Sequence, residues 1–200
     1  AALRFSQDEI RYLGLEMGTN SHQPTPASET LSLRYGDCKD KTALLISLLK
    51  AMKIEAHPAL VDTEETKRLI DLPATASVFN HVIVTLTHEG KRYWLDPTIS
   101  YQRGTLAYLA QPDYGYALII KNGESTLTSM AQTPVHKKVI VNDQFYIPNT
   151  VKEPVHFTTE YSYAEFQAIN RRSNLARNGL DSVAKSYLEY YQGFFDELKI

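Results

Sequence analysis

The most regular apolar spacing in the chain lies between residues 38 and 52. There Leu44, Leu45, Leu48, Leu49 and Met52 recur at the three- and four-residue intervals of one helix face. This predicts a helix over 38–52, buried along one side. Asp37 immediately before it is a natural N-cap, and Asp40 in the first turn suits the positive end of the helix dipole. Residues 54–61 (IEAHPALV) predict a strand. Two further β-rich runs, 81–87 and 91–96, flank Glu89-Gly90, a strong hairpin signal. Elsewhere the pattern is looser. Residues 9–17 (EIRYLGLEM) predict a strand or a strand-to-helix junction, and residues 18–28 a loop with two prolines. Residues 62–77 are irregular with one helical turn at 64–70, and residues 101–134 are loops with a strand at 116–120.

The hairpin fixes which side chains meet. If Glu89-Gly90 forms a two-residue loop, His88 faces Lys91 and paired positions sum to 179; a four-residue loop gives the same sum. His81 then lies opposite Thr98, and Asp96 opposite Ile83. Side chains alternate with period two, so His81 and Asp96 share a face as diagonal neighbours. Their backbones are then roughly 7–8 Å apart, within reach of a hydrogen bond between imidazole and carboxylate. A three-residue loop would put them on opposite faces. Val82, Val84, Leu86, Tyr93 and Leu95 occupy the other face, which suits a core.

The character changes near Pro134. Residues 135–147 and 153–163 predict strands; residues 164–177 and 180–198 predict helices with a break at Asn178-Gly179. Tyr187, Leu188, Tyr190, Tyr191 and Phe194 predict one buried helix face. The expected organisation is a domain over 1–134, then the start of a β-rich and helical unit over 135–200 that this chain does not complete.

Composition narrows the function classes. The chain has 200 residues, 43% hydrophobic and 22% charged, with a formal net charge of −2. These values are ordinary for a globular protein and give no reason to expect nucleic acid or an anionic membrane as partner. The longest apolar runs, such as ALLISLL at 43–49, are too short to insert across a bilayer. No secretory signal is visible at Ala1-Ala2-Leu3-Arg4-Phe5, as expected of a mature form or an excised fragment. A single cysteine, Cys38, excludes an intrachain disulfide and a multi-cysteine metal site.

Cys38 is also the candidate nucleophile. A reactive thiol needs a stabilised thiolate, a base within reach, and a group that orients the base. The predicted helix start helps the thiolate, while Asp37 and Asp40 oppose it and Lys39 softens their charge. A histidine is therefore required, and His81 with Asp96 supplies base and orienting carboxylate. The chain order Cys, His, Asp suits papain-like enzymes. Here the sequence also resembles a known family. RYGDCKDKTALLISLLKAMKIEAHPALV, FNHVIVTL and GKRYWLDPT together resemble the bacterial transglutaminase-like superfamily, over about residues 9–125. Upstream, RYLGLEMGTNSHQPTPASETL resembles the approach segment of a subgroup found in larger exported bacterial proteins, where this core follows a β-rich domain. The resemblance implies an α+β, papain/transglutaminase-like core in which the Cys-bearing helix packs on an antiparallel sheet. It implies Cys38 as nucleophile, His81 as base, Asp96 as orienter, a peptide or protein substrate, and a periplasmic or cell-envelope setting.

Secondary roles follow less directly. The Cys38 N–H is a candidate oxyanion donor, Gln23 a candidate side-chain donor, and Asn80 a candidate substrate contact. Asp40 and Lys41 are expected to be helix-start charges, and Trp94 a packing residue. Zinc on Cys38, His57, His81 and Asp96 is disfavoured, because no pair has the short spacing usual in zinc sites. No Gly-rich phosphate loop and no calcium signature is present, so no cofactor is expected. The expected reaction is acyl transfer through a thioester, with water slightly favoured over an amine as acceptor. The rival from another class is a non-catalytic module that keeps the three residues while binding a peptide or cell-envelope polymer, or serving as a spacer.

Overall fold

The structure, a computed structural model, describes residues 1–14, 22–130, 139–150 and 152–195. Contacts divide the chain into two units, Ala1–Pro134 and Val135–Ile200.

The first unit opens on elements that the apolar pattern does not announce. Helix α1 (Ala2–Asp8), strand β1 (Arg11–Tyr12), helix α2 (Ala27–Leu33) and strand β2 (Tyr35–Gly36) precede the Cys38 helix, and β1 pairs with β2 in parallel. The two helices have seven residues each, under two full turns, so a 3.6-residue period has no room to declare itself. Only Arg11–Tyr12 of the strand predicted over 9–17 forms; residues 15–17 lie outside the described residues.

Helix α3 (Cys38–Ala51) starts where Asp37 predicts. Asp37 accepts from the N–H groups of Lys39 and Asp40, and the Asp40 carboxylate accepts from the Asp37 N–H at 3.0 Å, a reciprocal capping box. Gly36 lies against this cap: a Cβ added there would sit 2.6 Å from Asp40 Cβ. Gly36→Ala must therefore push Asp40 out of the box, with an expected loss of about 1–3 kcal/mol. A urea midpoint equal to wild type would show that the cap absorbs the methyl group.

Five strands form the main sheet, in the order β5-β4-β3-β6-β7 with every neighbour antiparallel: β3 (Ala56–Val61), β4 (His81–His88), β5 (Lys91–Leu95), β6 (Tyr116–Ile119) and β7 (Leu127–Ser129). The turn predicted at 64–70 is a 3-10 helix at Thr66–Asp71. The β4–β5 register runs from His88↔Lys91 to Val84↔Leu95, as the two-residue loop requires. Both faces of the sheet are covered. On one, Val84, Leu86 and Leu95 pack against Leu45 and Leu49 of α3. On the other, Ala59, Val61, Ile83 and Trp94 pack with Tyr114, Ala117, Ile119 and Met130. Each valine, leucine, isoleucine or methionine among them contributes about 1.5–3 kcal/mol by burial, so the His81 side of the hairpin is a second core.

In the second unit, strands β8 (Val139–Tyr146) and β9 (His156–Tyr163) pair antiparallel and precede helix α4 (Glu165–Gln192). Two eight-residue strands are followed by a helical segment of twenty-eight residues. The helix is interrupted at Gly179, whose φ of 78° is left-handed territory that glycine enters without a Cβ clash. The predicted aromatic face is corrected in part. Tyr187 and Tyr191 bond the hydroxyls of Tyr163 and Tyr161, but Tyr190 is 58% and Phe194 66% exposed. Tyr190 points about 100° away from Tyr191, and Phe194 lies beyond the helix end at Gln192. The predicted strand and helix ends at 135–138 and 196–198 lie outside the described residues.

Candidate active site

Three chain positions far apart in sequence converge at one end of the main sheet. Cys38 is the first residue of α3, His81 is the first residue of β4, and Asp96 follows directly on β5. A cross-link sets the helix against the strand: Thr42, one turn into α3, donates from Oγ1 to the Val82 oxygen at 3.1 Å. It pins the first turn of α3 beside the residue next to His81.

His81 Nε2 lies 2.9 Å from Asp96 Oδ2. This is the diagonal contact that the hairpin register predicts. With Nε2 engaged by Asp96, Nδ1 is the remaining ring nitrogen, and Cys38 is among the groups that act on the imidazole. Burial alone would lower the His81 pKa, but the Asp96 bond and then the Cys38 side chain outweigh it and raise the value to about 9. The shift favours the protonated ring.

Asp96, 1% exposed, is the hub of the arrangement. Oδ1 accepts from Thr98 N–H at 2.8 Å and Thr98 Oγ1 at 2.6 Å; Oδ2 also accepts from the Tyr114 hydroxyl at 2.8 Å. Burial would raise its pKa. The bond and charge of His81, followed by the Thr98 bonds, hold it below the usual carboxylate range. Tyr114 also meets the His81 ring edge-on, centroids 5.8 Å apart, which closes one side of the imidazole. Its own phenol pKa is pushed up, first by burial and then by the Asp96 charge, so it is a fixed donor.

At the helix start, Lys39 Nζ pairs with Asp37 at 2.6 Å, so the acid beside the thiol carries its own counter-charge. The cap engages the N–H groups of Lys39 and Asp40, and the Cys38 N–H is not among those it takes.

Other predicted positions fall as follows. Asn80 is exposed; its Oδ1 accepts from Thr63 N–H at 2.9 Å, which ties the approach to β4. Gln23 is exposed ahead of α2. His57 stays on β3, with Nε2 2.9 Å from Glu55, and is not brought to the other three residues. Among the described residues, no group of three or more His, Cys, Asp and Glu side chains is placed to hold a metal ion. Trp94 is a packing residue, 8% exposed in the second core. Lys41, the fourth residue of α3, is 0% exposed, with its ammonium donating to the Ile10 oxygen at 2.6 Å.

Four residues of this site escape a motif reading. Lys41 precedes Leu44, Leu45 and Leu48 by three, four and seven positions, so it sits on the apolar stripe, a signal that marks it for burial. Thr98 completes Asp-Pro-Thr, where the carboxylate takes the N–H two residues on, a usual turn pattern. Gln7 and Tyr114 reach Asp96 only through the tertiary fold and carry no local signal.

No protein-family model matches the sequence, and no curated protein does. Among solved structures, the fold is similar to a protein of Parabacteroides distasonis described as a "putative protease", at 14% identity and a TM-score of 0.48. The match covers 72% of this chain and 28% of that one, so the chain spans under a third of its length. The chemistry therefore rests on the site itself.

Proposed function

We propose that this chain is a cysteine-dependent acyl-transfer enzyme acting on peptide or protein amides, with Cys38 as nucleophile, His81 as general acid and base, and Asp96 as the orienting carboxylate. The observation that carries the proposal is the 2.9 Å bond from His81 Nε2 to a buried Asp96, with Cys38 at the start of the helix that Thr42 ties to the residue next to His81.

In the proposed sequence the Cys38 sulfur attacks the amide carbonyl carbon and the oxygen takes up the negative charge. The Cys38 N–H is the proposed donor to that oxyanion. His81 gives its proton to the amide nitrogen, the C–N bond breaks, and the amine leaves a thioester on Cys38. Neutral His81 then takes a proton from the acceptor, which attacks the thioester and frees the sulfur. Water as acceptor gives a peptidase or amidase, and an amine gives a transglutaminase. We take hydrolysis as the principal reaction, because water needs no binding site of its own. Membership of the transglutaminase-like superfamily and a periplasmic or cell-envelope setting belong to the same proposal, and support for them comes from the motif resemblance.

The test is iodoacetamide alkylation of Cys38 as a function of pH. The wild-type rate is expected to hold below pH 6.5. In His81→Ala it should fall about a hundredfold there, the drop for a thiol of ordinary acidity. A thiol that reacts only near pH 8.5 in both proteins would remove the enzyme reading and favour a non-catalytic binding module.

A further inference from the structure

Beyond the three proposed catalytic side chains, a set of hydrogen-bonded polar groups, with Gln7, Gln102 and Lys41 buried among them, runs from α1 to Asp96. Gln7, on α1, is 1% exposed. Its Nε2 donates to the main-chain oxygen of Asp96 at 2.9 Å and to Gln102 Oε1 at 2.7 Å. The main-chain oxygen of Gln7 accepts from Ser100 Oγ at 3.1 Å and from Lys41 Nζ at 3.4 Å. Asp8 beside it accepts from Tyr101 N–H and pairs with Arg103, both at 2.7 Å. The segment after Asp96 thus grips α1 from one side, while Lys41, on the helix that carries Cys38, holds it from the other.

Packing alone does not account for these residues. Lys41 brings an ammonium into the interior to meet main-chain carbonyls, and Gln7 Oε1 is buried with no hydrogen-bond partner. An apolar side chain would fill the Gln7 site without that orphan. What only the amide supplies is a donor aimed at two acceptors, one of them the peptide group of Asp96. Rotation of that peptide group would swing the carboxylate away from His81.

We propose that Gln7 is a positioning residue of the Cys38–His81–Asp96 site, fixing the main chain of Asp96 and hence the direction in which its carboxylate meets His81, with Lys41 locking α1 in place. Its catalytic meaning rests on the acyl-transfer reading above; the geometric claim does not.

The experiment follows the His81 imidazole by NMR titration in wild type, Gln7→Met and Asp8→Asn, with thermal unfolding of each. Met matches the length of Gln and removes donor and orphan together. Gln7→Met should lower the His81 midpoint by about one unit, a tenfold change in proton affinity. Asp8→Asn loosens α1 without touching the Asp96 oxygen; it should lower the Tm and leave the midpoint in place. An unmoved midpoint in Gln7→Met overturns the proposal, whatever happens to stability. Equal shifts in both variants overturn it too, because α1 would then be a general support. Should Gln7→Met not fold, Gln7→Asn withdraws the donor by one methylene and is judged by the same criteria. A Gln7-dependent midpoint beside an inert Cys38 would sink the enzyme reading alone, and a reactive Cys38 with no Gln7 dependence would sink this one alone.

Discussion

Asp96→Ala should lower the unfolding free energy by about 3–5 kcal/mol, the usual penalty for removing one partner of a buried charge pair. Deleting this carboxylate takes the acceptor from the donors of His81, Tyr114 and Thr98 at a buried position. The same change removes the main support of the raised His81 pKa, so burial would then dominate and favour the neutral imidazole. Asp96→Asn keeps the shape and one acceptor oxygen, but turns an amino group toward one of the former donors. It should lose less stability than Ala, yet as much of the imidazolium. Urea unfolding at pH 7 measures the first effect, and His81 titration the second. A wild-type urea midpoint in Asp96→Ala would refute the hub role.

The second large effect is a pH dependence of opposite sign at two buried bases. Folding favours the charged form of His81, whose pKa rises from 6.5 to about 9. Its contribution is complete below pH 6.5 and is lost as pH rises through 9. Folding disfavours the charged form of Lys41, whose pKa falls from 10.5 to about 8, chiefly by burial, with the Asp96 and Asp8 charges opposing. That penalty is complete below pH 8 and is relieved between 8 and 10.5. A displacement of this size corresponds to about 3 kcal/mol. Lys41→Met removes the second effect and leaves the first. The stability difference between wild type and Lys41→Met should therefore stay constant below pH 8, then move by about 3 kcal/mol in favour of wild type by pH 10.5. Urea titrations from pH 6 to 10.5 measure it. A difference independent of pH would mean that Lys41 keeps an ordinary pKa in the folded protein.

The parts of this architecture that were legible in the sequence are those that short-range chemistry controls. Asp37 announces the start of α3, and the leucine interval gives its length. Glu89-Gly90 sets a register that delivers His81 to Asp96, since a two-residue loop leaves no freedom in the pairing. What lay hidden depends on tertiary closure. Helix α1 has too few residues for a period, and its burial comes from Lys41 and from the segment after Asp96, both far away in the chain. Tyr114 sits in a loop whose path over the sheet no local pattern specifies. The aromatic face of α4 was drawn too wide, because the helix ends before Phe194.

The order in which the pieces of Asp96's surroundings occur along the chain bears on biosynthesis. Cys38 leaves the ribosome 43 residues ahead of His81 and 58 ahead of Asp96. Gln7 must wait through a separation of 89 residues for the peptide group it holds. Until those residues emerge, the thiol has neither His81 nor Asp96 to act with it. On the proposed chemistry, a chain stalled before Asp96 emerges lacks part of the set that would activate Cys38.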